Sequence, residues 1–171
     1  DGKHLWFHSH KISLENVPQG DIYKELIGRY FVCAPTVMCR RQVFVALGGY
    51  DESLAFEDFD FWMRSSRLFK YCYSNAALVK QRVLRGSKSK LQYRWRSPQM
   101  RSIFIVCTKI FNMNTSLPEM QALKKRIFYE IRMAAITGNI RLVFDYFRLL
   151  KKTNHQISRY TFPRAFPPKP A

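Results

Sequence analysis

Acidic residues are scarce in this 171-residue chain, twelve Asp and Glu against 29 Lys and Arg, and the shortage is uneven. Residues 1–77 carry nine acids and nine bases, while residues 78–171 carry three acids and twenty bases and so hold the entire formal charge of +17. A surface so one-sided disfavours basic partners for the second part. It favours polyanions: nucleic acid, anionic lipid headgroups or a nucleotide diphosphate. Cysteine is also sparse. Cys33, Cys39, Cys72 and Cys107 form no Cys-x-x-Cys pair, which argues against a zinc knuckle, a redox pair or a secreted disulfide scaffold. They are expected to be reduced and mostly buried. Long apolar runs are missing as well: the stretch at 103–107 is far short of the ~20 residues that span a bilayer. With no signal-peptide pattern either, the expected location is cytoplasmic, with the inner face of the cytoplasmic membrane as a peripheral site. No internal repeat occurs. The chain opens on Asp1, within a turn signal, and is expected to be a piece of a longer polypeptide.

What is present is a globular composition, 47% hydrophobic and 15% aromatic, enough for one domain with a core or a small lobe with a helical appendage. Residues 5–10 follow the Asp1-Gly2-Lys3 turn as a short strand. A helix is expected over 24–29, a buried strand over 30–39 (YFVCAPTVMC) interrupted at Pro35, and a helix over 41–47 ended by Gly48-Gly49. Residues 58–69 read as a helix with Phe59, Trp62, Met63 and Phe69 inward and Asp60 and Arg64 paired four apart on its surface. Strands are expected at 71–73 and 76–84. Beyond them the pattern turns helical. Ser97-Pro98 starts a helix with Met100, Ile103, Phe104, Cys107 and Phe111 on one face, and Ser116 to Glu119 forms a capping box. The helix after that box carries Met120, Leu123, Ile127, Ile131 and Ala134 as its stripe. Gly138-Asn139 breaks the chain, and a third helix to about Lys152 is expected to turn Ile140, Phe144, Phe147 and Leu150 inward. The tail from Ser158 is proline-rich.

The densest chemistry lies between residues 51 and 60. Five acids, Asp51, Glu52, Glu57, Asp58 and Asp60, alternate with Tyr50, Phe56, Phe59 and Phe61 at a helix start. Desolvation and neighbouring acids raise such carboxylates while the helix N-terminus lowers them, and the local sequence does not say which prevails. An ordinary structural reading makes Glu57 and Asp58 helix-start acids and Asp60 a surface ion-pair partner.

In its order of residues, the run from Thr36 through MCRRQVFVALGGYDESLAFEDFDFWMR resembles family 2 glycosyltransferases of the GT-A fold. There, Gly-Gly-Tyr-Asp-Glu is followed by Glu-Asp-x-Asp and a helix bearing Trp and Arg. The resemblance covers about residues 1–90. It implies the C-terminal, acceptor-side part of an α/β GT-A domain over 1–90, a basic amphipathic helical extension over 91–157 and a Pro-rich tail over 158–171. By position it makes Asp58 the catalytic base that deprotonates an acceptor hydroxyl for inverting attack on a nucleotide sugar, with Gly48, Gly49, Glu57 and Trp62 around the acceptor. Trp62 and Arg64 also brace the helix. The family's donor half and its metal-holding Asp-x-Asp are absent before Asp58, and Asp58-Phe59-Asp60 fits that pattern by letters only. Where relatives carry Arg-x-His and Gly-Ser-x-Ser, this chain has Arg82-Val83-Leu84-Arg85-Gly86-Ser87-Lys88-Ser89, with leucine in place of the histidine. Arg82, Arg85 and Lys88 are then the candidate diphosphate contacts. A divalent metal, Mg or Mn, and the nucleotide sugar are expected to bind mostly through residues outside this chain, so that the fragment alone is inactive.

Two other constellations compete. His8 and His10 share a strand face near His4, but no Cys or Asp completes a metal set, and a polar surface strand accounts for them. The helices flanking Gly138 resemble a helix-turn-helix in outline, yet their basic residues lie along outer faces rather than on one recognition helix, which suits acidic lipid headgroups better than nucleic acid. The functional expectation is therefore an inverting glycosyltransferase part serving cell-surface polysaccharide or glycolipid synthesis, with a saccharide or lipid-linked acceptor. The alternative is a non-enzymatic basic module binding anionic membrane or nucleic acid.

Overall fold

A computed structural model describes residues 17–76, 78–79 and 92–161. Among the described residues six α-helices follow one another: α1 (Tyr23–Gly28), α2 (Arg41–Ala46), α3 (Glu57–Leu68), α4 (Pro98–Met113), α5 (Leu117–Ile136) and α6 (Ile140–Thr161), with a 3₁₀ turn at Ala34–Thr36. The expected α/β fold is not what these residues form. Among the described residues there is no strand, and the one β-bridge joins Gly20 to Tyr71. The reason is visible in the segment expected as a buried strand. Its backbone is extended at Cys33 and Val37, but the 3₁₀ turn containing Pro35 splits it. Extended chain becomes a strand only when a second chain pairs with it, and no such partner lies alongside among the described residues. The strand expected at 71–73 is reduced to the bridge at Tyr71. Ala76, Leu78 and Val79 are irregular, and the rest of 76–84, like the strand at 5–10, falls outside the described residues.

The helices form for local reasons. The first turn of α3 holds Glu57, Asp58 and Asp60, acids that favour a helix N-terminus. Its interior, with neither Gly nor Pro, buries Phe59, Phe61, Trp62 and Met63; Phe69, expected inward, is half-buried just past its end. Pro98 and Pro118 open α4 and α5 at positions where a missing N–H costs nothing. The capping box is made: Glu119 accepts the backbone N–H groups of Thr115 (2.7 Å) and Ser116 (3.2 Å). Ser97, by contrast, spends its hydroxyl on Gln99 rather than on a helix N–H. Gly138, with φ of 73°, turns the chain from α5 into α6. There Asn139 accepts the Arg96 N–H (2.7 Å) and donates to the Arg94 carbonyl (3.0 Å), pinning the entry to α4 against the turn.

One apolar cluster runs through the molecule. It joins Ile22, Tyr23, Leu26 and Ile27 at α1 with Phe59, Phe61, Trp62 and Met63 of α3, Ile103, Val106 and Ile110 of α4, Leu123 and Ile127 of α5, and Tyr146 and Leu149 of α6. α5 packs against α6 and α1, and α4 bridges α3, α5 and α6. The change of charge after residue 77 is thus not matched by a break in the core. Each fully buried large side chain contributes about 1.5–3 kcal/mol.

Two expected faces are corrected. Asp60 pairs with Arg64 as expected, but it is buried, 1% exposed, rather than on the surface. On α6 the buried residues are Leu142, Tyr146, Leu149, Leu150 and Thr153, while Ile140, Phe144 and Phe147 point to solvent. The thiols are free as expected, but only Cys107 is buried; Cys39 and Cys72 are exposed and Cys33 is half-buried.

Candidate functional site

The five acids separate according to what faces them. Asp60 directs one carboxylate oxygen at Arg64 Nε (2.7 Å) and the other at Lys109 Nζ of α4 (2.8 Å). The same Lys109 ammonium donates to Asp51 at 2.7 Å. Hydrogen bonds from Lys109 and from the Ser53 hydroxyl hold the Asp51 carboxyl down at about 2. Arg64 also donates to the carbonyls of Leu47 (2.7 Å) and Gly49 (2.8 Å), clamping the glycine turn to α3. Both glycines of that turn have positive φ, and a Cβ on Gly49 would stand 3.2 Å from the Phe44 ring. Leu47, Gly48, Gly49, Tyr50, Asp51, Asp60, Arg64 and Lys109 together line an open cleft of about 260 Å³. Its carboxylates are already neutralised by cations of the chain itself.

Asp58 sits on the other side of α3. It accepts the Tyr30 hydroxyl at 2.6 Å and the Phe59 N–H at 2.8 Å, beside the aromatic group of Tyr30, Phe56 and Phe59, whose ring centroids lie 5.0–5.7 Å apart. Among the described residues no cation comes within ion-pair distance of it. Burial raises its proton affinity above the usual carboxylate range, and the neighbouring Glu57 charge adds to this, against the pull of its hydrogen bonds. At this position desolvation outweighs the hydrogen bonds that favour the charged form. Burial, with Asp58 beside it, likewise raises the Tyr30 phenol, which stays protonated and remains a donor.

Of the residues expected around an acceptor, Gly48 and Gly49 lie in the cleft beside Asp51, which Asp58 does not line. Glu57 is exposed next to Asp58. Trp62 is buried, 2% exposed, with no hydrogen-bond partner for its indole N–H among the described residues, so it supports α3 from beneath rather than lining a surface. Arg82, Arg85 and Lys88, the expected diphosphate contacts, fall outside the described residues, as do His4, His8 and His10.

A divalent metal does not fit the carboxylates present. Asp58 and Asp60, two apart on a helix, point away from each other, one to Tyr30 and the other to Arg64 and Lys109. Among the described residues no group of three or more His, Cys, Asp or Glu is placed to hold an ion.

No family model, curated protein or solved structure matches the chain.

Two residues of this region are absent from the reading of the sequence. Tyr30 is the first residue of the apolar run 30–39, and nothing in that run marks its hydroxyl as the partner of an acid 28 positions on. Lys109 lies in a helix whose periodicity reports only apolar residues. The signal it does offer is chemical: an acid cluster packed among aromatics needs a cation, and α4 carries one toward it.

Proposed function

We propose that this chain is the acceptor-side part of an inverting glycosyltransferase and that Asp58 is its general base. The observation that supports this most is the contrast among the five acids. Asp51 and Asp60 are consumed by Lys109 and Arg64, whereas Asp58 is half-buried, free of cations among the described residues and raised in proton affinity. A carboxylate in that condition is suited to take a proton, because base efficiency is greatest when its pKa approaches the working pH. In the proposed reaction the acceptor hydroxyl gives its proton to Asp58 as its oxygen bonds to the anomeric carbon. The bond from that carbon to the nucleotide diphosphate breaks and configuration inverts. Positioned proton transfer of this kind contributes ~10²–10⁴-fold. The order of residues from Gly48 to Arg64 selects this chemistry over other uses of a base.

The Arg64–Asp60–Lys109 group, centred on the buried Asp60, is structural in this reading: it fixes α3 and the Gly48-Gly49 turn against α4. The nucleotide sugar, and the Mg or Mn such donors use, would be held by residues beyond those described. In a polypeptide that carries the donor-binding part, Asp58→Asn is expected to lower sugar transfer by 10²-fold or more while leaving nucleotide-sugar affinity unchanged. Turnover at the native rate would remove Asp58 from the role.

A further inference from the structure

The exposed side of α6 holds a stripe that the core does not use. Ile140, Phe144 and Phe147 are 57%, 61% and 50% exposed, and their spacing of four and three residues places them one above another on the helix. Beside them run Arg141, Arg148, Lys152 and Arg159, all exposed and also aligned, at intervals of seven, four and seven. The one acid of α6, Asp145, is mostly covered and paired with Arg148 at 3.4 Å. Bulky apolar side chains flanked by basic ones, with the opposite side of the helix anchored in a core, form the pattern of a helix lying in the plane of a lipid interface.

We infer that this face of α6 docks on an anionic bilayer surface, with Phe144 and Phe147 entering the headgroup boundary and Arg141, Arg148 and Lys152 meeting lipid phosphates. Charge complementarity selects this occupant. A second copy applying the same face in a two-fold dimer would bring these cations against their own counterparts on chains of charge +17. A nucleic-acid backbone would meet the cations but leave the apolar stripe uncovered. Among the described residues no helix is long and apolar enough to cross a membrane, so contact through α6 lies along the surface. The inference is independent of Asp58: substitutions at one place leave the other intact, and the two fail separately.

Flotation of the full 171-residue chain with phosphatidylcholine vesicles, with and without phosphatidylglycerol, tests it. Binding is expected only when phosphatidylglycerol is present and is expected to weaken with salt. Phe144→Ser with Phe147→Ser is expected to lower partitioning about tenfold or more, whereas Phe144→Leu with Phe147→Leu retains it. Neutralising Arg141, Arg148 and Lys152 to Gln is expected to cost about fivefold per charge. Unchanged thermal midpoints of the variants establish that the fold is intact. Binding indifferent to phosphatidylglycerol overturns the inference, as does a serine variant that floats like the native chain. So does a serine substitution whose effect falls on single-stranded RNA binding or on self-association by sedimentation rather than on vesicles.

Discussion

At Asp58 three influences meet in one carboxyl group. Burial and the Glu57 charge raise its proton affinity, while the Tyr30 hydroxyl at 2.6 Å and the Phe59 N–H lower it. Tyr30→Phe removes one of the opposing bonds, so the Asp58 titration midpoint, followed by carboxyl carbon NMR, is expected to move up further. A midpoint that falls or stays put would show that the hydroxyl does not govern this acid. The sign of the linkage to stability follows from the same direction. A carboxyl raised in the folded state binds a proton there more tightly than in the unfolded chain. Its contribution is complete at acid pH, below the unfolded pKa, and is lost as pH rises through the folded one. Asp58 therefore works against folding at neutral pH.

At the scale of helices, α3 is fastened by its charges to its neighbours: Lys109 of α4 spans Asp51 and Asp60, and Arg67 reaches Glu119 at 2.6 Å and the Met113 carbonyl at 3.0 Å. Lys109→Met leaves the buried Asp60 carboxylate with Arg64 alone and is expected to cost about 1–3 kcal/mol in urea unfolding. The acid limb should change with it. Asp51, held at about 2, adds stability above its ordinary pKa that is lost as pH falls toward that value. Without Lys109 the Asp51 midpoint rises and the acid limb becomes shallower. Most helix starts and stops were legible in the sequence because capping is local: Glu119, Pro98, Gly48 and Gly138 each act within a few residues. The end of α6 was not, since the helix runs to Thr161, past the expected stop near Lys152 and into the segment from Ser158 expected as tail. Nor was the face of α6. Ile140, Phe144 and Phe147 repeat as regularly as Leu142, Tyr146 and Leu149, and only packing on α5 and α4 decides which stripe is covered. The strand expected at 30–39 failed for a related reason, since a strand is a property of two segments and, among the described residues, 30–39 supply one.

Across the whole molecule, the least expected feature is an ion pair inside the core. Arg126 and Glu130 of α5, 6% and 0% exposed, meet at 2.8 Å, and the guanidinium lies 5.0 Å from the Phe59 ring centroid of α3. Glu130 Oε2 and the Tyr146 hydroxyl nearby have no hydrogen-bond partner among the described residues. Removing one partner leaves a buried charge uncompensated, so Arg126→Met is expected to cost about 3–5 kcal/mol in denaturant unfolding, while Arg126→Met with Glu130→Leu recovers most of that loss. Additive losses in the cycle would show that the two residues act separately. Neither residue stood out in the sequence, where each resembles the exposed charges of any amphipathic helix. Asp58 is singled out in the sequence by the order of its neighbours; the cation that ties up both Asp51 and Asp60, Lys109, comes from a helix some fifty residues away.

Close to that ion pair, on α4, Cys107 is fully buried and its thiol is pushed up to about 12 by burial, while Cys39 and Cys72 lie open to solvent. Because the thiolate is the form that reacts, the molecule grades its own sulfur chemistry by depth. Oxidants spend themselves first on two surface positions that no helix packing depends on, and the one thiol whose modification would split the core stays chemically silent for as long as that core is closed.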